Sequence, residues 1–304
     1  MRPKKLILRS LLVLALLVFI SIEWGFYHHH NKVVATFGGF VEESLAKEKF
    51  DASILIKQLE RDGLYKRLYK RNILFTRRAD DPVSAASLIK VPLMAAVFMA
   101  DREGSLDLSA AYTLKNSDHT AGSGLLKAVK AGTAYTYLEL VELMVSKSDN
   151  TASNILIKKL GFDYLNLSFA RLGLKNTAIN RLVMDLESRK KGIDNLVSAS
   201  DLGLLFEKIY RGQLIDQDAS LRMLEFLSKQ KVNDRIPRYL PKSVTIAHKT
   251  GTIRGIVHDA GIVLANDEDY LLCVLTEGSQ DYQSPKDFIA RISEFVYYTL
   301  VYGN

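Results

Sequence analysis

The chain has 304 residues, 48% of them hydrophobic, enough to bury a substantial core as one large domain or two small ones. Its net charge of +7 is concentrated at one end: residues 1–32 hold five basic side chains (Arg2, Lys4, Lys5, Arg9, Lys32) against one acid, Glu23. Removing these from the totals of 41 basic and 34 acidic residues leaves 36 and 33, an ordinary solvated surface that argues against a nucleic-acid partner.

In chain order, a basic head (Met1–Arg9) precedes an apolar run from Leu11 to Ile22, extended by Trp24, Phe26 and Tyr27. About seventeen such residues lie near the lower limit for crossing a bilayer, and Trp24 and Tyr27 suit its interface. Ser21–Tyr27 offers no convincing pair of small residues for cleavage, so an uncleaved signal-anchor is expected. The head then stays cytoplasmic, and the chain after about residue 33 lies outside, extracellular or periplasmic. His28-His29-His30 has no acidic or cysteine partner nearby and reads as a solvated linker.

Phe37–Lys49 has the apolar spacing of an amphipathic helix. Ala52–Leu59, Leu64–Tyr69 and Ile73–Thr76 read as strands, with turns at Arg61-Asp62-Gly63 and Lys70-Arg71-Asn72. The basic run Lys66–Arg78 reads as a solvated hairpin face, with a patch for anionic cell-surface polymer as the sharper alternative. From Ser87 to about Ser228 the pattern is mainly helical, including Tyr137–Val145, Thr151–Leu160, Ser200–Tyr210 and Ala219–Leu227. Ser200-Asp201 is the expected start of one helix. Strand patterns return at Val244–His248, Asp259–Ala265 and Tyr270–Thr276, with a turn at Asn266-Asp267-Glu268-Asp269. Phe288–Val301 closes the chain as a helix. The single cysteine, Cys273, excludes an intramolecular disulfide and reads as a buried strand residue.

This order predicts an α+β fold: an antiparallel sheet flanked by helices, built from both chain ends, with an all-helical domain inserted. The expected divisions are 1–32 for head, transmembrane anchor and linker, and 33–304 for the folded domain. Its sheet part covers about 33–84 and 235–304, its helical part about 85–234. A cleft between the two parts is the natural substrate site.

Three motifs follow one another: Ser87-Leu88-Ile89-Lys90, Ser148-Asp149-Asn150 and Lys249-Thr250-Gly251. S-x-x-K also occurs at Ser188–Lys191 and Ser228–Lys231 and means little alone; the joint order and spacing carry the weight. Ser87 falls in the first turn of a helical pattern, where unpaired N–H groups favour a developing alkoxide. Lys90, three residues on, shares its helix face and can act as a base once desolvated. Pro92 is too near the start to break that helix. Ser148 can relay a proton to a leaving nitrogen. Asn150 offers a donor to a substrate carbonyl and an acceptor to Lys90, while Asp149 fixes the turn. Lys249, read as ending a strand, suits a substrate carboxylate, helped by Thr250. Gly251 permits close backbone approach. The N–H groups of Thr252 and Ser87 are the expected oxyanion hole. Arg254 is a candidate second anion contact.

Residues 34–304 resemble the class A β-lactamase and penicillin-recognising serine hydrolase family, in which this motif set is documented. The resemblance extends through Ala85–Pro92, Tyr137–Met144, Ser148–Asn154, His248–Thr252 and His258-Asp259-Ala260-Gly261. It implies acylation of Ser87 by a β-lactam or peptidoglycan-peptide carbonyl, in a monomeric enzyme with no metal or organic cofactor. One departure stands out: the family's deacylating glutamate lies in an E-x-x-L-N pattern that Asn180–Ser198 lacks. An apolar residue near Val183 stands at its expected place, and Asp185 and Glu187 could substitute only if the loop were reshaped. The competing expectations are a D,D-peptidase-like or slowly deacylating penicillin-binding protein and a non-catalytic cell-wall-binding module. A Ser-His-Asp hydrolase is disfavoured: beyond the head only His119, His248 and His258 remain, and no G-x-S-x-G occurs.

Overall fold

The computed structural model describes residue 21 and residues 32–59, 73–265 and 268–303. Helix α1 (32–45) carries the expected stripe, with Phe37, Val41 and Leu45 buried. Strands β1 (Asp51–Gln58) and β2 (Ile73–Arg77) match two expected strands. The expected strand Leu64–Tyr69, the turns beside it and most of the basic run lie outside the described residues, as does the Leu11–Ile22 run apart from Ser21. Among the described residues no helix is long and apolar enough to cross a membrane. Arg77 and Arg78, at the end of the basic run, both pair with Asp51.

The two chain ends build one five-stranded sheet, as the order of patterns predicts. From the carboxyl end come β7 (Thr245–Ile253), β8 (Ile256–Leu264) and β9 (Tyr270–Glu277), and the strand order is β2-β1-β9-β8-β7, antiparallel throughout. Alternation along each strand divides the core in two. Ala247, Ala260, Ile262, Leu271, Cys273 and Leu275 face the helical layer. Ile54, Ile56, Val257, Val263, Leu272 and Val274 face α1 and the terminal helix α9 (Gln283–Tyr302). Helix α9 runs antiparallel to α1: Phe288 meets Phe50, and Phe295 stacks on Phe40 with centroids 3.8 Å apart.

The helical layer holds α2 (Lys90–Arg102), α3 (Tyr137–Ser146), α4 (Asn150–Leu160), α5 (Phe162–Leu172), α6 (Leu186–Lys190), α7 (Ala199–Tyr210) and α8 (Gln217–Ser228). Every residue from Lys90 to Phe98 is buried, so α2 is the central helix of this layer. Pro92 sits in its first turn, where a missing N–H costs little. Side-chain caps set several helix starts: Thr136 and Glu139 form a capping box on α3, Asp149 caps α4 and Asp216 caps α8. The cap of α7 is Ser198, whose Oγ accepts the Asp201 N–H at 3.1 Å, two residues before the expected Ser200 start.

The inserted part is not all-helical. Within it β4 (Ala111–Thr113) pairs with β5 (Ala134–Thr136), and β6 (Leu196–Val197) pairs with β3 (Val83–Ser84), which lies just before it. Segments of two or three residues are too short to show alternation, so only their tertiary pairing reveals them.

Candidate active site

Ser87 lies in a 3-10 turn (Ala86–Ile89) that leads into α2, not in the α-helix itself. The turn is strained at its start: Ala86 has φ 45°. Strand β7 does not end at Lys-Thr-Gly as expected. It runs through the motif to Ile253, held by pairing with β8 from Thr245 opposite Leu264 to Ile253 opposite Ile256. Gly251 lets this strand press against the nucleophile turn: a Cβ there would lie 3.2 Å from Ala86 Cβ and 3.4 Å from Ser87 N. As β7 is the sheet's edge, its outer backbone groups have no strand partner among the described residues.

Four of the expected residues meet directly. Lys90 Nζ donates to Ser148 O at 2.7 Å and to Asn150 Oδ1 at 2.8 Å, and lies 3.1 Å from Ser148 Oγ. Lys249 Nζ donates to the same Ser148 Oγ at 3.1 Å and to Thr250 O at 2.9 Å. Both lysines are fully buried. Burial, reinforced by the neighbouring Lys249 charge, holds Lys90 well below the usual lysine range, with Asp149 opposing. Burial also brings Lys249 down to about 7, opposed by Asp259 and aided by Arg235. Ser87 is half-buried, and its Oγ makes no hydrogen bond among the described residues.

The Ser-Asp-Asn turn is fixed from beneath. Ser148 adopts φ 53°, a strained conformation for a non-glycine residue. Asp149 is completely buried: Oδ1 accepts the Ala152 N–H at 2.9 Å, and Oδ2 accepts those of Leu125 and Leu126 at 2.6 and 2.8 Å. It therefore fixes its own turn, as expected, and also ties the 120–126 loop to α4. Asn150 Nδ2 donates to Ala121 O at 2.9 Å, leaving its second N–H for another acceptor.

The Asn180–Ser198 stretch forms a loop closed at its neck by Arg181 and Asp194, 2.7 Å apart, and by Asn195, whose Oδ1 accepts the N–H groups of Asn180 and Arg181. Neither acid suggested as a substitute base is free for that task. Asp185 caps α6 through the Ser188 N–H and hydroxyl, and Glu187 is an exposed partner of Lys190. Val183 is half-buried, with its backbone held by Asn154 of α4.

Two further features escaped sequence reasoning. Arg235, buried in the segment before β7, donates through Nη2 to Thr252 Oγ1 at 2.5 Å and through Nη1 to His258 O at 3.2 Å. Arg254, the candidate anion contact, is exposed in the turn between β7 and β8. No motif marks an arginine 17 residues upstream of its contact. His258 is buried with Nε2 2.9 Å from Ser84 O and Nδ1 accepting the Thr276 N–H at 3.1 Å. Burial brings it down to about 4, so it is neutral at ordinary pH.

The model of the beta-lactamase enzyme family matches residues 41–300. A curated beta-lactamase from Streptomyces fradiae is 30% identical over 194 residues, 61% of this chain and 63% of that protein. The match thus spans a little under two thirds of that relative's length. The crystal structure of a beta-lactamase from Sphaerobacter thermophilus superposes with a TM-score of 0.76 at 27% identity, covering 89% of this chain and 97% of that one. A mutant of PBP-A, solved as its acyl-enzyme complex with penicillin-G, gives 0.75 at 29% identity over 88% and 95% of the two chains.

Proposed function

The chain belongs to the beta-lactamase enzyme family, and from that premise we propose a serine hydrolase that a β-lactam or related cell-wall amide acylates at Ser87. The carrying observation is Ser148 Oγ, held 3.1 Å from each of two buried lysines of opposite task. A neutral Lys90 amine has two N–H groups, and these are used by Ser148 O and Asn150 Oδ1. Its lone pair is then left to accept the Ser87 proton. Ser87 Oγ attacks the carbonyl as its proton passes to Lys90; the C–N bond then breaks as Ser148 gives its proton to the departing nitrogen and takes the one from Lys90, 3.1 Å away, in return. The N–H groups of Ser87 and Thr252 hold the oxyanion. Lys249, Thr250, Thr252 and Arg235 receive the substrate carboxylate, and Asn150 donates to the side-chain carbonyl.

The second half-reaction is slow in this reading. Hydrolysis of the ester needs a base to activate water, and the loop offers Val183 where the family carries glutamate. The adduct accumulates, as in a penicillin-binding protein.

The folded domain proposed for this activity is residues 33–304, sheet part about 33–84 and 235–304. The sequence of the head and apolar run supports a membrane tether that leaves this domain on the outer face, where cell-wall amides lie.

Incubating the full chain with labelled penicillin and following intact mass over time tests the reading. A stable adduct that Ser87→Ala abolishes, and that Ser188→Ala and Ser228→Ala retain, is the expected result. Labelling that survives Ser87→Ala refutes it.

A further inference from the structure

Alternation along β7 and β8 turns Lys249 toward the helical layer, and His248 and Asp259 toward the face covered by α9. Asp259 is completely buried there. Its Oδ1 lies 2.8 Å from His248 Nδ1, and its Oδ2 accepts the Ile236 N–H at 3.1 Å. Ile236 is the residue after Arg235, in a stretch between α8 and β7 with no helix or strand. Ile236 is held at its carbonyl too, by Ser293 Oγ of α9 at 2.8 Å. These two bonds pin the backbone from which Arg235 reaches Thr252 and His258 O. The other nearby acid is Asp234, whose Oδ1 is 3.6 Å from Arg235 Nε and whose Oδ2 pairs with Lys286 at 2.7 Å. Two buried cations, Arg235 and Lys249, thus both feel the charge of one fully buried carboxylate, Asp259.

We propose that Asp259 is a positioning residue for anion recognition: it anchors Arg235 beside Thr252 and supplies the buried negative charge that lets Arg235 and Lys249 occupy one site. Two like charges taken out of water repel and lose hydration, and a buried carboxylate offsets both costs. Arginine needs fixed geometry more than lysine does, because its planar fork recognises a carboxylate through paired N–H groups. The Ile236–Asp259 bond provides that fixity. The inference rests on the reading above that this edge of β7 receives a substrate carboxylate.

The test compares acylation of the full chain by benzylpenicillin and by its methyl ester, which lacks the carboxylate. In the unaltered protein the acid reacts faster. Asp259→Asn lowers the acid-to-ester rate ratio by about tenfold or more, the scale of one hydrogen bond to a charged group, and leaves the ester rate nearly unchanged. Arg235→Gln lowers the same ratio, and the double variant falls no further, since the two act as one unit. A loss shared equally by acid and ester marks a merely structural role and overturns the proposal, as does additive loss in the double variant. If Asp259→Asn does not fold, Arg235→Gln still decides: an unchanged ratio there leaves Asp259 nothing to act through. The two readings fail separately. No adduct on the unaltered chain refutes acylation at Ser87, whereas normal adducts with unchanged ratios refute this one.

Discussion

Asn154 grips Val183 by both backbone polar groups: Oδ1 accepts its N–H at 2.8 Å, and Nδ2 donates to its carbonyl at 3.0 Å. A side-chain amide used in this two-handed way fixes one loop residue against α4, and the residue so fixed carries no carboxylate. The same asparagine also reaches Thr120 Oγ1 at 3.1 Å, so one residue of α4 holds two loops.

Val183→Glu is therefore expected to shorten the lifetime of the penicillin adduct and to leave its formation unchanged. The gain should be at least about tenfold, short of the ~10²–10⁴ that a mature general base contributes. Time-resolved intact mass reads it directly. Asp185→Ala and Glu187→Gln should leave the lifetime as it is, because both acids are engaged within α6.

Acylation should depend on pH through Lys249. Burial lowers this ammonium to about 7, so its positive charge is present below that pH and lost above it. The second-order rate for a carboxylate-bearing penicillin, which reports the free enzyme, should fall as pH rises through about 7. The methyl ester should lack that limb. Identical alkaline limbs for acid and ester would contradict the assignment of Lys249 to the carboxylate.

Gly251→Ala should slow acylation more than it alters stability. The new Cβ would press on Ala86 Cβ at 3.2 Å and on Ser87 N at 3.4 Å, forcing β7 away from the nucleophile turn. Disturbing one oxyanion donor costs up to about 10²–10³ in rate. Denaturant melts should shift by no more than about 1 kcal/mol, since a small displacement at a sheet edge loses little burial.

Asp149→Ala should act in the opposite way, on stability first. It removes the α4 cap, worth about 1 kcal/mol. It also orphans the Leu125 and Leu126 N–H groups, whose partner is buried. A total loss of about 2–4 kcal/mol follows, measurable by chemical denaturation. A variant of unchanged stability would show that the 120–126 loop does not depend on α4.

The sequence by itself determined the sheet's origin in both chain ends, most helices and strands, and the grouping of Lys90, Ser148, Asn150 and Lys249, which the structure brings together. These depend on local periodicity and on motifs whose members are a few residues apart. It also showed that the 180–198 loop lacks the E-x-x-L-N pattern, because absence of a pattern needs no coordinates. Tertiary structure alone decided the rest. The β3–β6 and β4–β5 ribbons are too short to alternate and exist only through their pairing. The Lys-Thr-Gly strand continues to Ile253 because β8 folds back on it. Arg235 meets Thr252 Oγ1 and His258 O because its segment passes β7 and β8, and Ile236 bonds to Asp259 across 23 residues of chain. Such contacts arise when separate segments are buried together and their polar groups must find partners, a requirement that no local pattern records.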